Sequence, residues 1–329
     1  MFEFYDREEE LNTIERLLSY PPNLITFVYG PINSGKSAVM LKLIERAKNC
    51  VFFYIDLRLH MISRYNDFLR VLFEVHSPHT LRKFLEDLPK SIGGIPIPKK
   101  LLEDIFVGKR EDVFEYIVEV FERIRDRGKT PVLVLDELQK IGDLKIDSEL
   151  IYELFNFFVS VTKQRHLAHV FCVTLDSLFL EKIYRSAVLH GRADFLLVDD
   201  FDHPTAAEGF LRTHGFDDDE IEIAWSYLGG KPVYLTEAIR NRSNLQQFCE
   251  RLLKMRIRQI LEVLEGKIPK LFKLFKDREV IEYDTLTDEL RMCVRENIVF
   301  VDPVNRIVKP QSRIDLLVMR SITDKYGEE

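Results

Sequence analysis

Eight residues, Gly30-Pro31-Ile32-Asn33-Ser34-Gly35-Lys36-Ser37, constrain this chain more than any other feature, because they satisfy the pattern GxxxxGK(S/T). The apolar run Leu24-Ile25-Thr26-Phe27-Val28-Tyr29 before them reads as a buried strand, and Ala38, Val39, Leu41, Leu43 and Ile44 after them have helical spacing. A strand, a glycine-bearing loop and a helix together make a cradle for polyphosphate. The glycines let backbone N–H groups turn inward, and the helix N-terminus adds partial positive charge. On this reading Gly30, Pro31, Ile32, Asn33, Ser34, Gly35, Lys36, Ser37 and Ala38 surround the phosphates. Lys36 reaches the β- and γ-phosphates and the Ser37 hydroxyl ligates Mg²⁺.

Such a loop needs a second, acidic site, and Val132-Leu133-Val134-Leu135-Asp136-Glu137 supplies one. Four apolar strand residues end in adjacent carboxylates, at the edge of a parallel sheet where ligands bind. Asp136 is expected to hold the Mg²⁺ shell and Glu137 to polarise the water that attacks the γ-phosphate. Thr174 ends another apolar run, Val170–Thr174, and offers a hydroxyl at the same edge as a γ-phosphate sensor. Asp176 and Ser177 follow it and fit an N-cap equally well.

Apolar runs alternate with helical patterns over the first two hundred residues: Leu24–Tyr29, Val51–Asp56, Pro131–Leu135, Val170–Thr174 and Phe195–Val198. This predicts an α/β fold with a parallel sheet covered on both faces. Residues 62–125 read as mainly helical, with Gly93–Pro98 (GGIPIP) as a loop. Short amphipathic helices surround Gly229-Gly230-Lys231-Pro232, and a long helix follows from about residue 251. The tail reads as helix Leu286–Glu296, strand, turn Asp302–Asn305, strand and helix Ile314–Arg320, a winged-helix outline. The expected division is 1–200 for the ATPase-type domain, 201–250 for a helical lid and 251–329 for the winged-helix-like domain.

The chain carries 47 Lys and Arg against 54 Asp and Glu, a net charge of −7, which argues against indiscriminate nucleic-acid binding. Residues 251–279 run the other way, with nine basic residues against four acidic ones. In the tail helix Arg291 and Arg295 lie four apart, among Asp288, Glu289 and Glu296. The four cysteines are far apart without a CxxC pair, and no apolar stretch approaches membrane-spanning length. A reducing cytoplasm with no membrane partner is expected.

The segment Phe4-Tyr5-Asp6-Arg7-Glu8-Glu9-Glu10-Leu11, the phosphate loop, the LVLDELQ stretch and Leu189-His190-Gly191-Arg192 occur in this order. As a set they resemble the archaeal ATPase family, which groups with the STAND and origin-recognition branch of AAA+-type P-loop proteins. The resemblance spans roughly residues 1–235. It implies ATP or ADP as the nucleotide, with Phe4 and Arg7 near the adenine and Arg192 as an arginine finger acting in cis or across a subunit boundary. Gly230-Lys231-Pro232 resembles the lid signature that would set Pro232 against the base. Where relatives have Gly-Ser after the sensor strand, this chain has Leu175-Asp176. The resemblance implies an ATP-hydrolysing switch working with a protein partner or a homo-oligomer. The alternative is a DNA-binding ATPase that loads or remodels on nucleic acid through its winged helix.

Overall fold

The computed structural model describes residues 4–106, 113–142, 149–265 and 267–326, which cluster into two compact units. One comprises Arg7–Tyr29 and Ser37–Leu196. The other comprises the N-terminal residues up to Asp6, the loop Gly30–Lys36 and the chain from Leu197 onward.

The first unit is built on strands β1 (Ile25–Tyr29), β2 (Cys50–Asp56), β3 (Phe73–His76), β4 (Ser91–Ile92), β5 (Ile95–Pro98), β6 (Thr130–Asp136), β7 (His169–Thr174) and β8 (Ala193–Leu197). Six of them form a sheet in the order β4-β2-β6-β7-β1-β8. The pairings β1–β7, β6–β7, β2–β6 and β2–β4 are all parallel. Every residue of β1 and β7 is buried, as a sheet sandwiched between helices requires. Helix Val113–Arg125 shows how that cover is encoded: Val113, Ile117, Val120, Phe121 and Ile124 recur on one face and all are buried.

Parallel register fixes the functional edge. Tyr29 aligns with Thr174 and Asp56 with Asp136, so the carboxyl ends of β1, β2, β6 and β7 lie side by side. β1 runs straight into the loop at Gly30, and β6 into Glu137.

The expected loop at Gly93–Pro98 needs correction, because part of it is strand. β4 pairs with β2 at the sheet margin, and β5 pairs in parallel with β3 as a separate two-stranded ribbon. The prolines at 96 and 98 mask the period-2 signal, yet they are tolerated where only one edge is paired. Gly94 is needed there, since a Cβ would approach the Glu74 backbone nitrogen to 3.0 Å.

In the second unit, helices Asp218–Leu228, Pro232–Arg240 and Leu245–Leu264 follow one another. The first starts in a capping box: Asp217 accepts from Glu220 N–H at 2.9 Å, and Glu220 accepts in return from Asp217 N–H at 3.0 Å. The tail has β9 (Ile281–Glu282), helix Asp288–Arg295, β10 (Val299–Asp302), β11 (Ile307–Pro310) and helix Arg313–Tyr326. The strands form an antiparallel sheet in the order β10-β11-β9, with helix Asp288–Arg295 ahead of the β10–β11 hairpin. Asp302 is fully buried and accepts from Val304 N–H and Asn305 N–H at 2.9 and 3.1 Å. It shapes the hairpin turn and presents no acid to a partner.

Three of the tail's basic residues are tied to acids, while Arg251, Lys254, Arg258, Lys267, Lys270, Lys273, Lys276 and Arg278 are exposed. Arg256 pairs with Asp315 at 2.7 Å and donates to Asn297 O at 2.8 Å. Lys309 pairs with Asp199, and Arg313 with Glu279. Among the described residues no helix is long and apolar enough to cross a membrane.

Candidate active site

The loop Gly30–Lys36 is folded around its own lysine. Lys36 is 7% exposed, and its Nζ donates to Gly30 O at 3.0 Å and Pro31 O at 2.7 Å. Asn33 takes a left-handed backbone (φ 61°) and so does Gly35 (φ 98°), which curls the chain ahead of helix Lys36–Arg46. Gly30 is dictated by space, since a Cβ there would lie 2.1 Å from Val198 O.

Two residues that sequence reasoning missed grip the loop at Ile32. Its carbonyl accepts from Lys231 Nζ at 2.9 Å, and its N–H donates to Gln311 Oε1 at 3.1 Å. Lys231 is 2% exposed and also pairs with Asp200 at 2.9 Å. Burial raises the Asp200 carboxyl above its ordinary range, and the Lys231 charge pulls it back down. Gly230 lets this happen, because a Cβ would sit 1.7 Å from Phe201 O. In the Gly230-Lys231-Pro232 signature it is therefore the lysine that touches the loop, while Pro232 opens the helix Pro232–Arg240. Gln311 follows β11 directly.

At the carboxyl edge of the sheet, Asp136 and Glu137 end β6 buried. Asp136 Oδ1 accepts from Glu137 N–H at 3.0 Å, and its Oδ2 accepts from the Tyr54 hydroxyl at 2.5 Å. Burial and the Asp136 charge raise the pKa of the Tyr54 hydroxyl, and the nearby Ser37 side chain opposes the shift. Ser37 and Asp136 thus converge on one small group. Both are hard oxygen donors, and that donor set fits Mg²⁺. Among the described residues no cluster of three or more His, Cys, Asp or Glu could hold a metal ion. A divalent ion at Ser37 and Asp136 would take its remaining ligands from phosphate and water, as Mg²⁺ ordinarily does.

Glu137 has a left-handed backbone (φ 64°) and is 8% exposed. Its Oε1 pairs with Arg58, from the turn after β2, and its Oε2 accepts from Gln139 Nε2 at 2.6 Å. Lys140 braces the Arg58 turn by donating to the carbonyls of Leu57, Arg58 and His60 at 3.1–3.3 Å. Gln139 Oε1 in turn accepts from Thr174 Oγ1 at 2.9 Å. Thr174 is fully buried, with its hydroxyl directed to Gln139. Asp176 caps helix Ser177–Tyr184, its Oδ1 accepting from Leu178 and Phe179 N–H at 2.8 and 3.1 Å.

Arg7 is buried and pairs with Glu10 at 2.9 Å at the start of helix Glu8–Leu18. Phe4 precedes Tyr5, whose ring packs edge-on against Phe201 and Phe210. The Arg192 carbonyl accepts from Ile25 N–H at 3.0 Å, which places its backbone at the amino end of β1.

Residues 4–238 match the family model described as an ATPase domain predominantly from Archaea. Residues 234–323 match the C-terminal domain of the MJ1010-like uncharacterized ATP-binding proteins. An uncharacterized ATP-binding protein of Pyrococcus abyssi (strain GE5 / Orsay) is 47% identical, with 98% of this chain and 99% of its own covered. One from Methanocaldococcus jannaschii is 44% identical, with 98% of each covered. Among solved structures, the Walker-type ATPase of Pyrococcus abyssi aligns over 96% of both chains, with a TM-score of 0.64 at 20% identity. The Aeropyrum pernix ORC2 protein in its ADPNP–ADP complexes covers 98% of this chain and 94% of its own, with a TM-score of 0.53 at 10% identity. At such identities the likeness is one of fold. The family match and the full-length relatives agree, and this chain belongs to the archaeal ATPase family.

Proposed function

We propose that the protein is a Mg²⁺-dependent, ATP-hydrolysing switch in which the state of the phosphate loop is transmitted to the C-terminal domain. The observation that carries this reading is the double grip on Ile32. Lys231 precedes one helix of the lid segment and Gln311 follows the tail hairpin, and between them they hold both backbone polar groups of one loop residue. A loop that reshapes around phosphates would strain or release both contacts.

In this reading Gly35, Lys36 and their neighbouring amides bind the β- and γ-phosphates, and Ser37 and Asp136 hold the ion. Bound Mg²⁺ would neutralise phosphate charge. Glu137 takes the proton of the attacking water, and Thr174 reports the γ-phosphate. Arg192, at the amino end of β1, is proposed to serve a neighbouring subunit's phosphates, which makes a homo-oligomer the proposed hydrolysing form. Phe4, Arg7 and Pro232 are proposed to bound the adenine. The acids Asp288, Glu289 and Glu296 beside Arg291 and Arg295, with a net charge of −7, favour a protein-facing winged helix over a DNA-reading one.

Calorimetric titration of ADP and ATP with Mg²⁺ tests the reading. Lys36→Ala should abolish binding, and tight binding by that variant would overturn it.

A further inference from the structure

Thr174, Gln139 and Glu137 form a chain of hydrogen bonds whose direction is fixed by chemistry. A carboxylate only accepts, so the Gln139 group facing Glu137 Oε2 is its Nε2, at 2.6 Å. The amide oxygen of Gln139 must then face Thr174, at 2.9 Å, and the threonine must donate. The Asp176 N–H completes the order by donating to Thr174 Oγ1 at 3.2 Å. Thr174 is 1% exposed and Gln139 8%, so water is not at hand to replace a lost partner.

A threonine hydroxyl has one proton. While it goes to Gln139 it cannot go to a phosphate oxygen. We infer that Gln139 is a positioning residue that makes γ-phosphate sensing by Thr174 and restraint of Glu137 mutually exclusive. This rests on the nucleotide reading above. When Thr174 donates to a γ-phosphate, the Gln139 oxygen is left buried without a donor. The side chain then has reason to turn, and turning withdraws its nitrogen from Glu137. Glu137 Oε2 becomes free to accept from the attacking water only when a third phosphate is present. ADP leaves the chain of bonds intact and Glu137 restrained.

The test is a double-mutant cycle on the full chain. Affinities for ADP and for a non-hydrolysable ATP analogue are measured with Mg²⁺ by calorimetry. Gln139→Leu removes the competitor for the Thr174 proton, so the ratio of ATP-analogue to ADP affinity should rise about fivefold, the worth of one hydrogen bond. Thr174→Val should lower that ratio by a similar factor, and Thr174→Ser should restore it. In the Thr174→Val background, Gln139→Leu should leave the ratio unchanged. A merely structural Gln139 would shift both affinities together, and an unchanged ratio in the single variant overturns the inference. So does an equal shift in both backgrounds. Wild type that binds neither nucleotide would overturn the nucleotide reading itself, and that failure is seen before any variant is compared.

Discussion

Gln311 and Ile32 are 279 residues apart in the chain and joined by one hydrogen bond, amide N–H to side-chain oxygen at 3.1 Å. The bond is buried on the glutamine side. Gln311→Ala leaves the Ile32 amide without that partner and should destabilise the unliganded protein by about 1 kcal/mol. It should also speed release of a fluorescent ADP several-fold in stopped-flow, because the loop loses one of its two anchors. An unchanged release rate would remove Gln311 from the coupling.

The Tyr54 hydroxyl donates to Asp136, with Ser37 nearby, where Mg²⁺ is proposed to bind. An ion bound there would compete with the hydroxyl for Asp136. Tyr54→Phe should therefore lower the Mg²⁺ concentration that half-maximally tightens ADP binding, by about threefold or more given the worth of one hydrogen bond. Titration of Mn²⁺ followed by its paramagnetic resonance reads the same quantity without turnover. A higher metal requirement in the variant would show that the hydroxyl helps hold the ion.

The Arg192 backbone sits at the amino end of β1, and a trans role is the one proposed for its side chain. Turnover per subunit should rise with protein concentration in the wild type. Arg192→Ala should be slow at every concentration, by 10³-fold or so if it acts as a full arginine finger, with ADP affinity unchanged. Concentration-independent wild-type turnover would exclude the trans role.

His169 opens β7 buried, and burial lowers its pKa to about 4, with the Tyr20 backbone opposing and the Arg125 charge adding to the shift. Its folded pKa is depressed below the unfolded value of about 6.5. Between the two, the unfolded chain binds a proton that the folded chain does not, so stability falls as pH drops through that window and is complete above it. The shift corresponds to about 3 kcal/mol. Urea unfolding from pH 7 to pH 4 should show this slope, and His169→Leu should flatten it. Equal slopes in both proteins would mean that other groups control acid stability.

The loop, Asp136 and Glu137 were legible in the sequence because each is a local signal: strand, then chemistry, within a few residues. Their restraints were not. Arg58 is 79 positions from Glu137 and Thr174 is 35 from Gln139, and nothing local marks either pair. Gln139 stood in plain view within LVLDELQ, yet its role depends on β6 and β7 being neighbours. The Gly230-Lys231-Pro232 run was visible, but which of its residues touches the loop depends on Gly230 having no side chain against Phe201. β5 escaped notice because prolines at alternate positions read as a breaker until a one-sided partner is known.

The central claim is hydrolysis at Glu137, and the most direct measurement is phosphate release from Mg²⁺-ATP by the wild type and by Glu137→Gln, with ATP affinity measured alongside. The account predicts repeated turnover by the wild type. For the variant it predicts similar ATP affinity and turnover about 10²- to 10³-fold slower, as loss of a general base implies. Wild-type protein that binds ATP without releasing phosphate, or a variant that keeps pace with it, would contradict the claim.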